Sequence, residues 1–207
     1  MRSKSSSKRK CARRPNNGRG ALRGMALLND DKRYGTIAKA WHWGAVALLI
    51  VLFGLGWTMT ELPLGVEKFE RYNLHKSVGV TLLLLMLFRL VWRIVSPPPP
   101  LPDSLSDGMR RMAALGHWSL YLALFAQIGV GLVHSWSANF PVVVFGKLAL
   151  PSLTAPNEGL KEILAVIHYW GGMALLVLIA GHIGAALYHH FLRRDTVLKR
   201  MIPWAKI

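Results

Sequence analysis

Long apolar runs separated by short polar ones organise the chain from residue 40 onward. From Ala40 to Met59 there is no Lys, Arg, Asp or Glu, close to the ~20 residues a helix needs to cross the hydrocarbon core of a bilayer. The second run is charge-free only from Ser77 to Phe88, but Arg89 and Arg93 follow one helical turn apart, where long side chains snorkel to the interface. A third run covers roughly 112–136, and a fourth, free of Lys, Arg, Asp and Glu from Ile163 to Leu192, is long enough to tilt or project. Pro97-Pro98-Pro99-Pro100 ends the second helix, because proline lacks an amide donor and restricts its predecessor, and begins a stiff link to Met109. The pattern predicts an all-α membrane protein, a four-transmembrane-helix bundle with spans at about 38–60, 74–95, 112–136 and 163–191. Between the last two spans, Pro141, Pro151 and Pro156 among Asn and Ser predict an irregular loop able to cap a site.

Charge changes this picture by giving it a direction. The 207 residues are 52% hydrophobic with a formal net charge of +16, which sets the chain apart from an ordinary soluble domain. Such a charge could signal nucleic-acid binding, but its placement argues otherwise. Segments 1–39, 89–112 and 188–207 hold 12, 4 and 5 basic residues against 2, 2 and 1 acidic ones, whereas 61–76 and 137–163 are balanced at 3 against 3 and 2 against 2. Lys and Arg resist translocation, so both termini are expected in the cytoplasm, with helices 1 and 3 running outward and helices 2 and 4 inward. Residues 1–32 read as a basic, disordered cytoplasmic tail ahead of a domain over 33–207. No apolar h-region follows the first residues directly, which argues against a cleaved or twin-Arg signal despite Arg13-Arg14, and Met25 offers an alternative start. Cys11 is the only cysteine, so there is no internal disulfide and no C-x-x-C-H run for covalent haem attachment.

Histidines supply the candidate chemistry, because an ionisable group inside a span is costly and marks function. His42 lies near the inner end of helix 1 and His75 opens helix 2 from the outer side. His168 and His182 lie on helix 4, 14 residues apart, about 21 Å of rise and nearly four whole turns, so both point to one face. Matched by depth, His42 pairs with His182 and His75 with His168. Two bis-histidine sites stacked across a bilayer suit two non-covalent b-type haems, with room from Gly44, Gly54, Gly56, Gly79, Gly171, Gly172, Gly181 and Gly184, although close helix packing explains any one glycine as well. His117, opening helix 3, and His134 have no evident spare partner, and an interfacial role is expected for both. His189 and His190 end helix 4, as propionate contacts, proton carriers or interfacial residues. Met86 and Met173 read as packing residues, and Trp41, Trp43, Trp57, Trp92, Trp118, Trp136 and Trp170 as an aromatic belt. No catalytic acid, base or nucleophile is legible.

Four runs carry a resemblance over about residues 33–204: Ala40-Trp41-His42-Trp43; His75-Lys76-Ser77-Val78-Gly79 with Arg89 and Arg93; Gly116-His117-Trp118-Ser119-Leu120-Tyr121; and Gly181-His182 through His189-His190, leading to Met201-Ile202-Pro203. They resemble the bacterial cytochrome b-561 family, small di-haem cytochromes of the inner membrane, and most closely its superoxide oxidase type. The resemblance implies His42, His75, His168 and His182 as haem ligands, superoxide as electron donor at the periplasmic face and ubiquinone as acceptor. It implies for Lys68, Arg71, Lys76, Lys147 and Lys161 either anion attraction or mere pairing with Glu61, Glu67, Glu70, Glu158 and Glu162. Two other functions fit the same pattern: an electron conduit between a dehydrogenase or hydrogenase partner and quinone, and a haem-free transporter relaying protons through histidine.

Overall fold

The computed structural model describes residues 27–102 and 105–205; the expectations about the basic segment 1–24, Cys11 and Met25 lie outside the described residues. Four helices carry the architecture, α1 (Thr36–Glu61), α2 (Val66–Val95), α3 (Asp107–Ser137) and α4 (Glu158–Phe191), each long and apolar enough to cross a membrane. The expected all-α, four-helix membrane fold is the one observed.

Three starts differ from expectation, α4 among them, since it begins at Glu158 rather than near residue 163. Helix α2 begins at Val66 rather than near residue 74, so His75 lies well inside it instead of opening it. Its first turns are amphipathic, stapled by Arg71 to Glu67 at 3.3 Å, and hydropathy over a long window overlooks a helix that alternates charge with Val66 and Phe69. Likewise α3 begins at Asp107, capped by the Ser106 hydroxyl, which accepts from the Met109 amide, and His117 sits within it.

Helices α1 and α2 pack along each other, as do α3 and α4, while α2 and α3 touch only sparsely. The bundle is thus two antiparallel hairpins facing each other. A small core of Ala45, Leu82, Met86, Tyr121, Leu124 and Leu175 joins them at mid-height, with Met86 only 2% exposed as a packing residue. Apolar side chains also cover the outside: Ile50 is 69%, Leu122 73% and Val177 72% exposed. Lipid tolerates such faces because the helices satisfy their own backbone groups.

At one end, here the terminal end, the segment before α1 meets the proline link. Asn29 donates from its side chain to the Ser96 and Pro97 carbonyls at 2.7 and 3.1 Å. At the opposite end, the loop end, residues 138–157 are largely irregular, as expected, but include a short two-stranded antiparallel hairpin, β1 (Val143–Val144) and β2 (Leu148–Ala149). Phe145 and Gly146 turn it with φ of 48° and 69°, the pairing of positive φ values that matches strand twist in tight hairpins. The loop is held down on α2: the Phe145 amide donates to the buried Ser77 hydroxyl at 2.8 Å, and Lys76 donates to the Pro141 carbonyl at 2.7 Å while lying over the Phe140 ring. Trp136 departs from the expected belt, since it is buried with Val80 and Val142 beneath this loop.

Candidate functional site

The sparse contact between the hairpins leaves a seam, and the histidines line it. At the terminal end the rings of His42 on α1 and His182 on α4 have their centres 6.3 Å apart. At the loop end His75 on α2 and His168 on α4 stand at the same 6.3 Å. Each pair therefore spans from one hairpin to the other, and the partners are those that depth and helix phase indicated.

This spacing suits an atom bound between two imidazoles. Metal–nitrogen bonds of ~2 Å on either side, plus ~1 Å from each nitrogen to its ring centre, put the centres ~6 Å apart. The Nδ1 atoms of His42, His75 and His168 are buried and close no well-aligned hydrogen bond, although backbone carbonyls of Leu52 and Gln127 attend His75 and His168. Among the described residues no cluster of three or more His, Cys, Asp or Glu could hold a bare metal ion. A pair of opposed imidazoles is a donor set that would hold a haem iron, whose macrocycle supplies the other ligands, so the residues present fit haem.

His117 has a partner after all. Its ring lies 5.5 Å from that of His182, making a third histidine at the terminal end. His134 lies within electrostatic reach of His168 but makes no ring contact with it. His189 points away from the seam and binds Asp195 through Nδ1 at 2.5 Å, and His190 packs on Phe191.

The glycines divide into groups. Gly44, Gly79 and Gly172 face side chains of neighbouring helices, and Gly56 faces the His75 ring, whereas Gly54, Gly181 and Gly184 face open space. Two positions that spacing alone did not reveal matter most. A Cβ on Gly131 would stand 2.9 Å from Cε1 of His168. Gln127, on the turn before it, donates to the His168 carbonyl at 2.7 Å and occupies the room that Gly171 leaves, so it fixes the height of α4 against α3. Only an amide inside an apolar run hinted at Gln127.

Charge is unevenly used. At the loop end Arg71 pairs with Glu67 and Lys161 with Glu158, and Lys68 bonds the Thr60 and Leu62 carbonyls. That leaves Lys147 exposed and Lys76 on its aromatic ring. At the terminal end Arg89 does not snorkel outward; it turns inward toward the ring of Tyr121. Tyr34 stands nearby, its hydroxyl pushed up by burial against the opposing pull of Arg93, Arg89 and Arg200.

Residues 33–204 match the family model described as prokaryotic cytochrome b561. The chain belongs to that family. Among its relatives, "Cytochrome b561 homolog 2" of Escherichia coli (strain K12) is 37% identical over 181 residues, covering 86% of this chain and 95% of that protein. "Probable superoxide oxidase CybB" of Yersinia pestis is 28% identical over 176 residues, covering 83% and 97%. "Cytochrome b561 homolog 1" of Escherichia coli (strain K12) is 32% identical over 145 residues, covering 64% and 74%. The prokaryotic cytochrome b561 family binds haem b, and this member is a membrane electron-transfer protein of oxidoreductase type.

Proposed function

We propose that the chain holds two haem b groups, one between His42 and His182 and one between His75 and His168, and moves electrons from superoxide to ubiquinone. The observation that carries this reading is the pair of equal 6.3 Å imidazole gaps at two levels of one bundle. Bound haem supplies a reversible one-electron carrier at each level. The excess of Lys and Arg at the terminal end orients that end to the cytoplasm of a bacterial inner membrane, so the loop end faces the periplasm. Two superoxide anions lose one electron each and leave as dioxygen, and ubiquinone gains both electrons with two protons to become the quinol. Support for superoxide as donor comes from the relative named a probable superoxide oxidase and from Lys76 and Lys147, loop-end cations with no carboxylate partner among the described residues.

His42 rather than His117 is the proposed partner of His182. The 6.3 Å separation leaves space for an iron atom, and the 5.5 Å approach of His117 is tighter than two axial bonds require. His42→Ala and His182→Ala are expected to remove the same haem, His75→Ala and His168→Ala the other, and His117→Ala neither. Pyridine haemochrome counting and low-temperature spectra read this out, and loss of a haem in His117→Ala would transfer the ligand role to it.

The activity test is an absorbance spectrum of the detergent-solubilised protein under a superoxide flux, with and without ubiquinone. Haem reduction followed by reoxidation on quinone addition is expected. Haem inert to superoxide would move the assignment to the electron conduit of a dehydrogenase or hydrogenase, and a preparation without a Soret band to the proton-relay transporter.

A further inference from the structure

Arg89 brings a permanent charge into the bundle and has no counter-ion there among the described residues. It stands in α2 close to His42, His182 and His117, all within electrostatic reach, with its guanidinium 5.8 Å from the Tyr121 ring. Arg93, one turn on, lies over the Trp118 ring at 5.6 Å. Arg200 comes from the C-terminal segment, fixed by its bond to the Pro100 carbonyl at 2.6 Å, and all three cations lie within electrostatic reach of Tyr34. Among the described residues no Asp or Glu pairs with Arg89 or Arg93; Asp30 pairs with Arg33, and Asp195 with His189 and Arg193.

Arginine cannot shed its proton to escape burial, and a desolvated guanidinium without an anion is costly. Its planar fork is matched to carboxylate and phosphate. We infer that Arg89, with Arg93, Arg200 and the Tyr34 hydroxyl, seats the propionate carboxylates of the haem held by His42 and His182. This rests on the haem reading above and adds to it an orientation, propionates toward Arg89, and a bias. A cation beside the haem disfavours the extra positive charge of the ferric state and so raises that haem's potential. A lipid headgroup phosphate offers the same anion chemistry, and the test separates the two.

Full-length wild type, Arg89→Gln and Arg89→Lys are purified in neutral detergent and titrated spectroelectrochemically, with His75→Ala marking which signal belongs to the His42/His182 haem. Arg89→Gln is expected to keep both haems while the reduction equilibrium of that one falls at least tenfold, ~59 mV for one electron, and Arg89→Lys to recover most of the shift. Apo-protein is also loaded with iron protoporphyrin or with its dimethyl ester, whose carboxylates are masked. Wild type is expected to bind the ester at this site at least tenfold more weakly, and Arg89→Gln to lose most of that discrimination. The seat is overturned if Arg89→Gln leaves the potential unmoved, if wild type does not discriminate the ester, or if discrimination appears only with added anionic lipid. Should Arg89→Gln fail to fold, Arg89→Lys and the ester comparison on wild type decide alone. A wild type that takes up no haem would instead defeat the underlying haem reading.

Discussion

Gly131 shows how one missing carbon shapes a site. The His168 ring stands where a side chain at this position would be, because a Cβ would lie 2.9 Å from Cε1 and 3.3 Å from Nδ1. Gly131→Ala is expected to push the ring off its position, an overpacking cost of about 1–3 kcal/mol, and to empty the His75/His168 site preferentially. Haem content per chain would fall from two toward one while the spectrum of the His42/His182 haem persists; two haems retained with unchanged spectra would show that the ring has room. The histidines were legible in the sequence because an ionisable group in an apolar run is rare, and helix phase gave their facing. Gly131 was not legible, since glycines abound in membrane helices and the neighbour that makes this one necessary comes from α4, 37 positions along the chain.

Among the elements, the loop between α3 and α4 depends on α2 more than on itself. Ser77 is 2% exposed; its hydroxyl donates to the Asn73 carbonyl at 2.7 Å and accepts from the Phe145 amide, whose residue holds a positive φ disfavoured for a side chain of that size. Ser77→Ala strands that amide, a loss of about 1–3 kcal/mol. The hairpin β1–β2 is expected to loosen, and limited proteolysis between residues 138 and 157 to quicken, with both haems still bound. Unchanged cleavage would mean that Lys76 and its Pro141 and Phe140 contacts suffice. Proline and glycine announced a loop here, but they could not announce a hairpin whose turn is set by a hydroxyl from another helix. The helix bodies were legible from hydropathy, whereas the first turns of α2, α3 and α4 were not, because they carry charged residues and project past the apolar run.

The molecule as a whole is tied at its terminal end by the segment after α4. Trp43 on α1 donates to the Met201 carbonyl at 3.1 Å, Lys39 to the Ile202 carbonyl at 3.3 Å, and Arg200 to the proline link, so this segment bridges hairpins that touch little elsewhere. Its turn away from α4 is set by Asp195, which holds His189 at 2.5 Å and the Val197 amide at 3.0 Å, next to Arg194 in the left-handed region. Burial raises the Asp195 carboxyl, but the bonds from His189 and Val197 and the charges of His189 and Arg193 outweigh it and hold the group below its ordinary 3.8. A carboxylate whose folded value lies below the unfolded one stabilises fully above the unfolded value and loses that contribution as pH falls through the folded one. The tie is therefore intact at neutral pH and fails below about pH 4. Asp195→Asn is expected to remove about 1.5–3 kcal/mol at pH 7, lowering the thermal midpoint in detergent, and that difference from wild type should shrink as both are acidified toward pH 3. A difference that stays constant across that range would show that the carboxylate's charge contributes nothing and that Asp195 acts through the geometry of the turn alone.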